Sequence, residues 1–454
     1  RKPGSCQTSL NPLNCESKIN EPHQTQEVFK MYKASLHQAR DFIRATLLEM
    51  SDSGIPAEPI MLHSSPGVGK ALPYSEKVMT PSGYVTMEDI KTGDKVTGAD
   101  GDPTKILYKS EQGIRPIYKM TFRDGTSVMC DGDHLWRVRS RRSGSPWKNL
   151  TTKELMNRKL RTYEKDDRSK DGGDSKRYNY WVPAVSPVLF TEKEQQLKIH
   201  PYVVGALLGD GGMTGDCIKF VNPEIAIIEK LDRMLPEDYK VSHHEFRNGA
   251  YHVGIVRKSN NVIPFKQLIE ENYPEILGKS TVRQIPSDYM YASVEERKTL
   301  FEGLSDTDGC YKYDENKEKT RLVGVDLSNE KLHQQMEHVV RSIGIRCTSS
   351  TRDTGYNNGD EYIHCGTGYR LFILKSQDFE GIASIEYSHD ENAACIAVDN
   401  ESKLFVTNGF KVTHNSEVTN SLKSDQEIVE AFENKFNATF NIWDWRVGAM
   451  QESD

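Results

Sequence analysis

The stretch "LHSSPGVGKALPYS" at residues 62–75 begins as a phosphate-binding loop and breaks off one residue early. In the pattern G-x-x-x-x-G-K-[ST], backbone N–H groups cradle phosphates, the Lys reaches the β- and γ-phosphates, and the Ser/Thr hydroxyl holds Mg²⁺. Gly67, Gly69 and Lys70 fit this pattern, but Ala71 stands where the hydroxyl belongs. A working loop therefore needs a hydroxyl from elsewhere in the chain.

The missing hydroxyl is found in "FVTNGFKVTHNSEVTNSL" at residues 405–422. If Lys70 were joined directly to Ser416, the text would read "SSPGVGKSEVTNSL", a complete loop leading into a helix. Lys70 and Ser416 must be covalent neighbours to serve one phosphate and one metal, so we expect the loop to work only after excision of the 345 residues 71–415. The expected ATP and Mg²⁺ ligands of the joined loop are Gly67, Gly69, Lys70 and Ser416.

Both edges of residues 71–415 resemble an intein, a protein segment that excises itself. The downstream edge reads His414-Asn415 before Ser416, and the resemblance implies that Asn415 cyclises to cut its own peptide bond, with His414 as proton donor. The upstream edge, "ALPYSEKVMTPSGYVTMEDI", has short β-branched strands between Pro/Ser/Gly turns, and "FRDGTSVMCDGDHLWRV" resembles the intein block around its His. The resemblance implies an all-β horseshoe splicing domain of the Hedgehog/intein fold, built from residues 71–136 and 381–415.

The first residue of the insert distinguishes two kinds of intein. Most inteins begin with Cys or Ser, which attacks the preceding carbonyl, and Ala71 cannot do so. Class 3 inteins lack this nucleophile and carry a Trp two residues after the block B His, a Cys in block F, and a Thr before the His-Asn pair. This chain has all three, as Trp136, Cys395 and Thr413. We therefore expect a class 3 intein.

The class 3 resemblance implies a mechanism without a cofactor. The Cys395 thiolate attacks the Lys70 carbonyl carbon while His134 protonates the leaving nitrogen of Ala71, because a thiol is appreciably ionised near neutrality and strongly nucleophilic. Ser416 then takes over the upstream segment, so that the two flanks ligate to each other. Thr413 and Trp136 are expected to shape this site. One departure is Asp131, where block B usually has Thr.

Two other interpretations remain open at this stage. The first is an ordinary class 1 intein whose first nucleophile is replaced by Ala71, so that upstream cleavage is inactive. The second is a P-loop nucleotide-binding protein with an insertion that does not splice. The first predicts no cleavage at the upstream junction, and the second predicts a stable full-length chain.

The middle of the insert contains a quasi-repeat, "PYVVGALLGDGG" at 201–212 and "TLFEGLSDTDGC" at 299–310. These stretches resemble the paired LAGLIDADG motifs of homing endonucleases. Two closely crossing helices need small residues at their contact, here Gly205 and Ala206 with Gly303 and Ser305. The resemblance implies an α/β endonuclease over 197–380 that cuts double-stranded DNA of the host allele lacking the insert, with Mg²⁺ held by Asp210 and Asp308.

The remaining segments are less specific. Residues 137–196 are expected to be a basic linker or a DNA-recognition region, because Lys and Arg dominate their first part. Residues 1–70 and 416–454 resemble partial P-loop ATPase segments of AAA+ type, so we expect a multi-domain chain. Eight cysteines without a C-x-x-C pair argue against a zinc ribbon or a disulfide framework. No apolar run is long enough for a membrane span, which favours a cytoplasmic protein of a phage or prokaryote.

Overall fold

The computed structural model describes residues 70–142, 144–165, 174–190, 196–314, 319–358, 361–375 and 378–414. The predicted residues Gly67, Gly69, Asn415 and Ser416 lie outside this described part, as do the flanks 1–69 and 416–454. The predictions about these residues therefore stay predictions.

Strands make up most of the described chain. In chain order they are β1 (Leu72–Pro73), β2 (Lys77–Thr80), β3 (Gly83–Thr86), β4 (Lys95–Thr97), β5 (Pro103–Phe122), β6 (Ser127–Asp131), β7 (Leu135–Ser140), β8 (Lys148–Thr151), β9 (Arg161–Lys165), β10 (Asp174–Tyr178), β11 (Tyr180–Pro183), β12 (Gly211–Gly212), β13 (Lys219–Asn222), β14 (Tyr239–Val241), β15 (Glu245–Arg247), β16 (Ala250–Arg257), β17 (Gly309–Asp314), β18 (Lys319–Leu327), β19 (Cys347–Asn358), β20 (Glu361–Ile373), β21 (Phe379–Val398), β22 (Leu404–Thr407) and β23 (Lys411–His414).

Most of the helices lie between β11 and β21 in the sequence. They are α1 (Thr152–Met156), α2 (Pro201–Asp210), α3 (Ile225–Met234), α4 (Phe265–Asn272), α5 (Ser287–Met290), α6 (Val294–Asp308) and α7 (Glu330–Ser342), with 3₁₀ turns at Pro274–Ile276 and Asn408–Phe410. No helix in the described ranges combines the length and the apolar character that crossing a membrane requires.

The first structural unit is all-β and draws on both ends of the described chain. An eight-stranded sheet has the order β4-β5-β21-β11-β7-β8, with β1 paired to β21 and β6 paired to β5. A four-stranded sheet has the order β23-β22-β2-β3. The end of β5 alternates buried Met120 and Phe122 with less buried neighbours, the period expected of a strand that covers a core on one face. This agrees with the β-rich unit that the sequence predicts.

The sheet extends beyond the expected boundaries. Strand β7 runs through residue 136 and pairs with β8, and β11 pairs with both β7 and β21. Residues 137–196, expected to be a basic linker, therefore contribute strands to the eight-stranded sheet. The boundary expected at residue 381 lies inside β21. Backbone hydrogen bonding between distant strands decides where the sheet begins and ends, and the charge composition of a segment does not predict this pairing.

The second unit is α/β and lies between β11 and β21 in the sequence. Helices α2 and α6 pack against each other, flanked by the antiparallel sheets β12-β13-β16-β14 and β17-β18-β20-β19. A Cβ added to Gly205 would lie 2.1 Å from the Leu300 carbonyl oxygen, and one added to Gly303 would lie 2.2 Å from that of Tyr202. A larger residue at either position would push the backbones apart, so the glycines predicted at 205 and 303 are required there.

Candidate active site

Strand pairing brings the start of β1 next to the segment of β21 that carries Cys395. In β1 and β21, Leu72 lies opposite Ala394 and Pro73 opposite Ala393. Ala71 and Cys395 are therefore each the sequence neighbour of a residue in the Leu72–Ala394 pair. Ala71 is fully buried and Cys395 is 4% exposed. The pairing thus places two predicted site residues, 324 positions apart in the sequence, next to the same strand pair.

His134 lies between the upstream junction and β23. Its Nδ1 is 3.3 Å from the carbonyl oxygen of Lys70, and its Nε2 contacts the Thr413 hydroxyl. A carbonyl oxygen only accepts hydrogen bonds, so Nδ1 carries the ring proton and Nε2 accepts from Thr413. Burial lowers the pKa of His134 to about 3, so the ring is neutral at pH 7.

The position of that proton refines the role predicted for His134. The sequence resemblance implies that His134 protonates the Ala71 nitrogen, whereas the contact seen in the structure is between His134 and the carbonyl oxygen of Lys70. Negative charge develops on this oxygen when a nucleophile attacks the Lys70 carbonyl carbon. A buried N–H donor aimed at such an oxygen stabilises the transition state without reorganisation of solvent.

Trp136 and Thr152 hold the imidazole in place. The Trp136 ring meets His134 edge to face, with 5.4 Å between ring centroids, and its Nε1 donates to the Thr152 hydroxyl at 3.2 Å. The Thr152 backbone N–H donates to the His134 carbonyl at 3.0 Å. Sequence reasoning singled out Trp136 but missed Thr152. The available signal was a capping box in which Thr151 and Glu154 begin α1 and so place Thr152.

Asp131 anchors the turn between β6 and β7 that carries His134. Its backbone N–H donates to the Ala71 carbonyl at 3.0 Å, and its carboxylate accepts from Arg115 at 3.2 Å and from the Asp133 N–H at 3.1 Å. Burial raises the pKa of Asp131 to about 6, although the Arg115 charge acts in the opposite direction. The Asp found in place of the expected Thr therefore organises the backbone on both sides of the site.

His414 ends β23 and is almost fully buried. The Asn149 side-chain nitrogen lies 3.2 Å from His414 Nε2. An amide NH₂ group only donates, so this contact makes Nε2 the acceptor and leaves the proton of the neutral ring on Nδ1. Asn149 lies on β8, inside the segment expected to be a basic linker, and sequence reasoning did not find it.

A second candidate site lies at the ends of α2 and α6. Asp210 and Asp308 are the last residues of these helices. Burial raises the pKa of Asp308 to about 7, and the negative charges of Asp210 and Asp326 add to this effect. Burial also raises the pKa of Asp210, although Asn222 donates to its carboxylate at 2.7 Å. The structure thus sets two half-buried carboxylates near each other.

The surroundings of this pair limit how it would hold a cation. Across the described part of the chain, no three His, Cys, Asp or Glu side chains are grouped as a metal site. A cation between the two carboxylates would therefore need further oxygens from water or a phosphate. Arg283 donates to the carbonyls of Gly278 and Leu207 and so holds the end of α2.

Comparison with known proteins gives sequence relatives of one kind. No family model matches the chain. The replicative DNA helicase DnaB of Mycobacterium intracellulare is 25% identical over 385 residues, which cover 79% of this chain and 60% of that protein. DnaB of Mycobacterium leprae (strain TN) is 35% identical over 89 residues, covering 19% of this chain and 15% of that protein. The chain thus spans less than two thirds of the length of either relative.

The similar solved structures are inteins. The crystal structure of the MchDnaB-1 intein covers 76% of this chain and all of that one, at 13% identity and a TM-score of 0.23. The Msm DnaB1 intein splicing domain bound with zinc covers 15% of this chain and 55% of that one, at 38% identity and a TM-score of 0.15. The gp41-1 intein covers 24% and 76%, at 21% identity and a TM-score of 0.16. With TM-scores this low, we draw no conclusion from the superpositions. In sequence, the chain is similar to DnaB replicative helicases.

Proposed function

We propose that residues 71–415 are a self-splicing intein of class 3 that excises itself and joins Lys70 to Ser416 in a DnaB-like host. The observation that carries this proposal is the pairing of Leu72 with Ala394, the neighbours of Ala71 and Cys395, together with the His134 N–H directed at the Lys70 carbonyl oxygen. A thiol and an oxygen-binding donor at one peptide bond are the two groups that acyl transfer requires.

The first step transfers the upstream segment to sulfur. The Cys395 sulfur attacks the Lys70 carbonyl carbon, and the thiol gives up its proton. The carbon–sulfur bond forms, and the bond to the Ala71 nitrogen breaks as that nitrogen takes up a proton. His134 stabilises the oxyanion through its Nδ1 proton, and it fills the role that the sequence predicts by taking up the thiol proton before it gives one to the nitrogen. Both roles fall to one imidazole because the oxygen and the nitrogen belong to the same peptide unit.

The later steps free the insert and restore a peptide bond. The Ser416 oxygen attacks the thioester, which releases the Cys395 thiol and forms an ester. The Asn415 side-chain nitrogen attacks its own carbonyl carbon, forming a succinimide and breaking the bond to Ser416. His414 donates the proton from Nδ1 to the leaving nitrogen, and the proton that the Asn415 side-chain amide loses returns to the ring. The freed Ser416 amine then displaces its own ester oxygen, so that Lys70 and Ser416 share a peptide bond.

Mass spectrometry of the full chain under reducing conditions tests this function. We expect a ligated product of 109 residues and a free insert of 345 residues. Cys395→Ala should abolish the ligated product, whereas Cys347→Ala, which removes a buried thiol of the second unit, should not. Ligation that survives Cys395→Ala refutes the nucleophile assignment. A stable full-length chain would favour a non-splicing insertion, and cleavage only at the downstream junction would favour an inactivated class 1 intein.

We further propose that the second unit is a LAGLIDADG homing endonuclease. The supporting observation is the close crossing of α2 and α6, whose last residues are the half-buried carboxylates Asp210 and Asp308. Two carboxylates that repel each other in a partly desolvated site favour a divalent cation between them, and Mg²⁺ prefers such oxygens. Bound there, Mg²⁺ would neutralise phosphate charge and activate water.

DNA cleavage tests the endonuclease. The substrate is a plasmid carrying the host sequence without the insert, and we expect Mg²⁺-dependent double-strand cleavage. Asp210→Asn and Asp308→Asn should each abolish it. Asp306→Asn is the matched control, because Asp306 faces Lys230 and Tyr202 and lies two residues before the helix end. Unchanged cleavage by both Asp210→Asn and Asp308→Asn would rule the idea out.

The host function follows from the joined loop. After ligation, Gly67, Gly69, Lys70 and Ser416 would bind ATP and Mg²⁺ as the sequence predicts. The two mycobacterial relatives are replicative helicases, which supports a DnaB-like host in the cytoplasm of a prokaryote or in a phage. An AAA+ type of ATPase core stays a prediction of the sequence.

A further inference from the structure

A buried ionic cluster connects the second unit to the strand that ends at His414. The Lys411 Nζ, at the start of β23, lies 2.6 Å from Asp124 Oδ2. Arg341, on α7 of the second unit, places Nη2 3.4 Å from the same oxygen. All three side chains are at most 10% exposed. Burial would raise the pKa of Asp124, but the charges of Lys411 and Arg341 outweigh it and lower that pKa to about 2.

A second arm of this cluster reaches β21. Arg346, which follows α7, lies 2.9 Å from Glu380 Oε2 through Nη2, and its Nε donates to the same oxygen at 3.1 Å. Glu380 is the second residue of β21, the strand that carries Cys395, and its Oε2 is 3.9 Å from Lys411 Nζ. Two guanidinium groups of the second unit are therefore tied to the two strands that carry Cys395 and His414.

Aromatic contacts surround the same junction. His338 on α7 meets Phe410 with 5.0 Å between ring centroids and Tyr84 of β3 at 6.0 Å. Phe410 immediately precedes β23, and Val412 of β23 belongs to the same buried apolar cluster. Burial lowers the pKa of His338 to about 4, so the ring packs as a neutral group. The second unit thus covers β23 with apolar as well as charged contacts.

The energetics of buried charge make this junction sensitive to single changes. Removing one partner of a buried ion pair leaves the other charge uncompensated, which costs more than the pair itself contributes. Deleting Arg346 would leave Glu380 with Lys411 at 3.9 Å, and deleting Arg341 would leave Asp124 paired with Lys411, so either change alters the charge balance at the base of a strand that carries reacting groups. Small displacements of such groups are enough to slow a reaction greatly.

We propose that Arg341 and Arg346 are positioning residues for splicing, so that the inserted unit completes the splice site instead of merely occupying a loop of it. They act through Asp124, Lys411 and Glu380 on the strands that hold Cys395, Thr413 and His414. This inference rests on the proposed splicing function.

Time courses of the full chain under reducing conditions test the inference. Arg341→Met and Arg346→Met should each lower the rate constant for ligation by about tenfold or more, with the same final yield as wild type. Arg341→Lys, which keeps the charge, should recover part of the rate. Arg352→Met is the matched control and should splice at the wild-type rate, because Arg352 is 55% exposed and pairs with Asp326 at 3.6 Å.

The yield separates positioning from instability. A variant that unfolds loses final yield in step with its thermal melting, whereas a mispositioned site loses rate at full yield. Ligation by both variants within twofold of wild type, or losses confined to yield, would overturn the inference and leave the proposed function standing. If Arg341→Met does not fold, Arg346→Met tests the other arm. A wild-type chain that never ligates would overturn both.

Discussion

Replacing the Thr413 hydroxyl tests how the upstream bond is activated. In Thr413→Val the side chain keeps its shape and loses the donor to His134 Nε2. The ring cannot compensate by moving its proton to Nε2. That tautomer would turn the Nδ1 lone pair toward the Lys70 carbonyl oxygen, 3.3 Å away, and the stabilising donor would be lost.

The size of the effect follows from burial. His134 is 1% exposed, so no water replaces the lost hydroxyl. An unsatisfied buried acceptor costs about 1 to 3 kcal/mol. An increase of about 1.4 kcal/mol in the activation free energy slows a reaction tenfold, so the first acyl transfer should slow about 5- to 150-fold. The alternative tautomer loses the oxyanion donor, and removal of one such donor typically slows a reaction about 10² to 10³-fold.

Hydroxylamine trapping measures this step alone. The nucleophile cleaves the thioester on Cys395, and the released upstream segment of 70 residues is quantified by mass spectrometry against time. Thr413→Ser is the control, because it retains the hydroxyl and should stay near the wild-type rate. If Thr413→Val traps as fast as wild type, or Thr413→Ser is equally slow, the hydroxyl does not set the tautomer of His134.

Three further predictions concern other parts of the molecule. Burial raises the pKa of Asp308 to about 7, so its protonated form stabilises the fold at acidic pH, and this contribution is lost as the pH rises through 7. Above this pH, protons compete less with Mg²⁺ for the carboxylate, and DNA cleavage should therefore increase from about pH 6 to 8. Gly205→Ala should destabilise the second unit by about 1 to 3 kcal/mol or more through overpacking, seen by calorimetry, whereas Gly215→Ala, with no atom closer than 3.9 Å to the new Cβ, should not. Asn149→Ala should slow cleavage at the downstream junction and move the ¹⁵N chemical shifts of the His414 ring, and unchanged shifts would count against the contact.

The sequence was informative wherever chemistry or close packing demands a particular residue at a particular spacing. The interrupted loop identifies the predicted insert, because Lys70 and Ser416 must be covalent neighbours to form one phosphate-binding loop. The repeated glycines at 205 and 303 indicate two touching helices, and the structure shows their backbones in contact. Short β-branched stretches between Pro/Ser/Gly turns predict a β-rich unit. These features are local in the sequence or depend on residue type, so they can be identified without coordinates.

The supporting residues could not be found in this way. Asn149 and Arg115 have ordinary local sequences and matter only because of what lies opposite them, and the capping box that places Thr152 does not reveal its hydrogen bond to His134. The boundary expected at residue 136 lies inside β7, because a stretch rich in Arg and Lys can still pair as strands when neighbouring strands offer their hydrogen bonds. Composition describes the side chains, whereas sheet membership depends on backbone groups.

The sequence by itself determined which residues are chemically able to act: a thiol at 395, an imidazole at 134, and carboxylates at 210 and 308. Only the tertiary structure decided that Leu72 pairs with Ala394, that His134 joins Lys70 to Thr413, and that Arg341 reaches Asp124. The physical reason is distance along the chain. Local periodicity shows which face of a strand is buried, but the choice of partner is made by the whole core, among segments hundreds of residues apart.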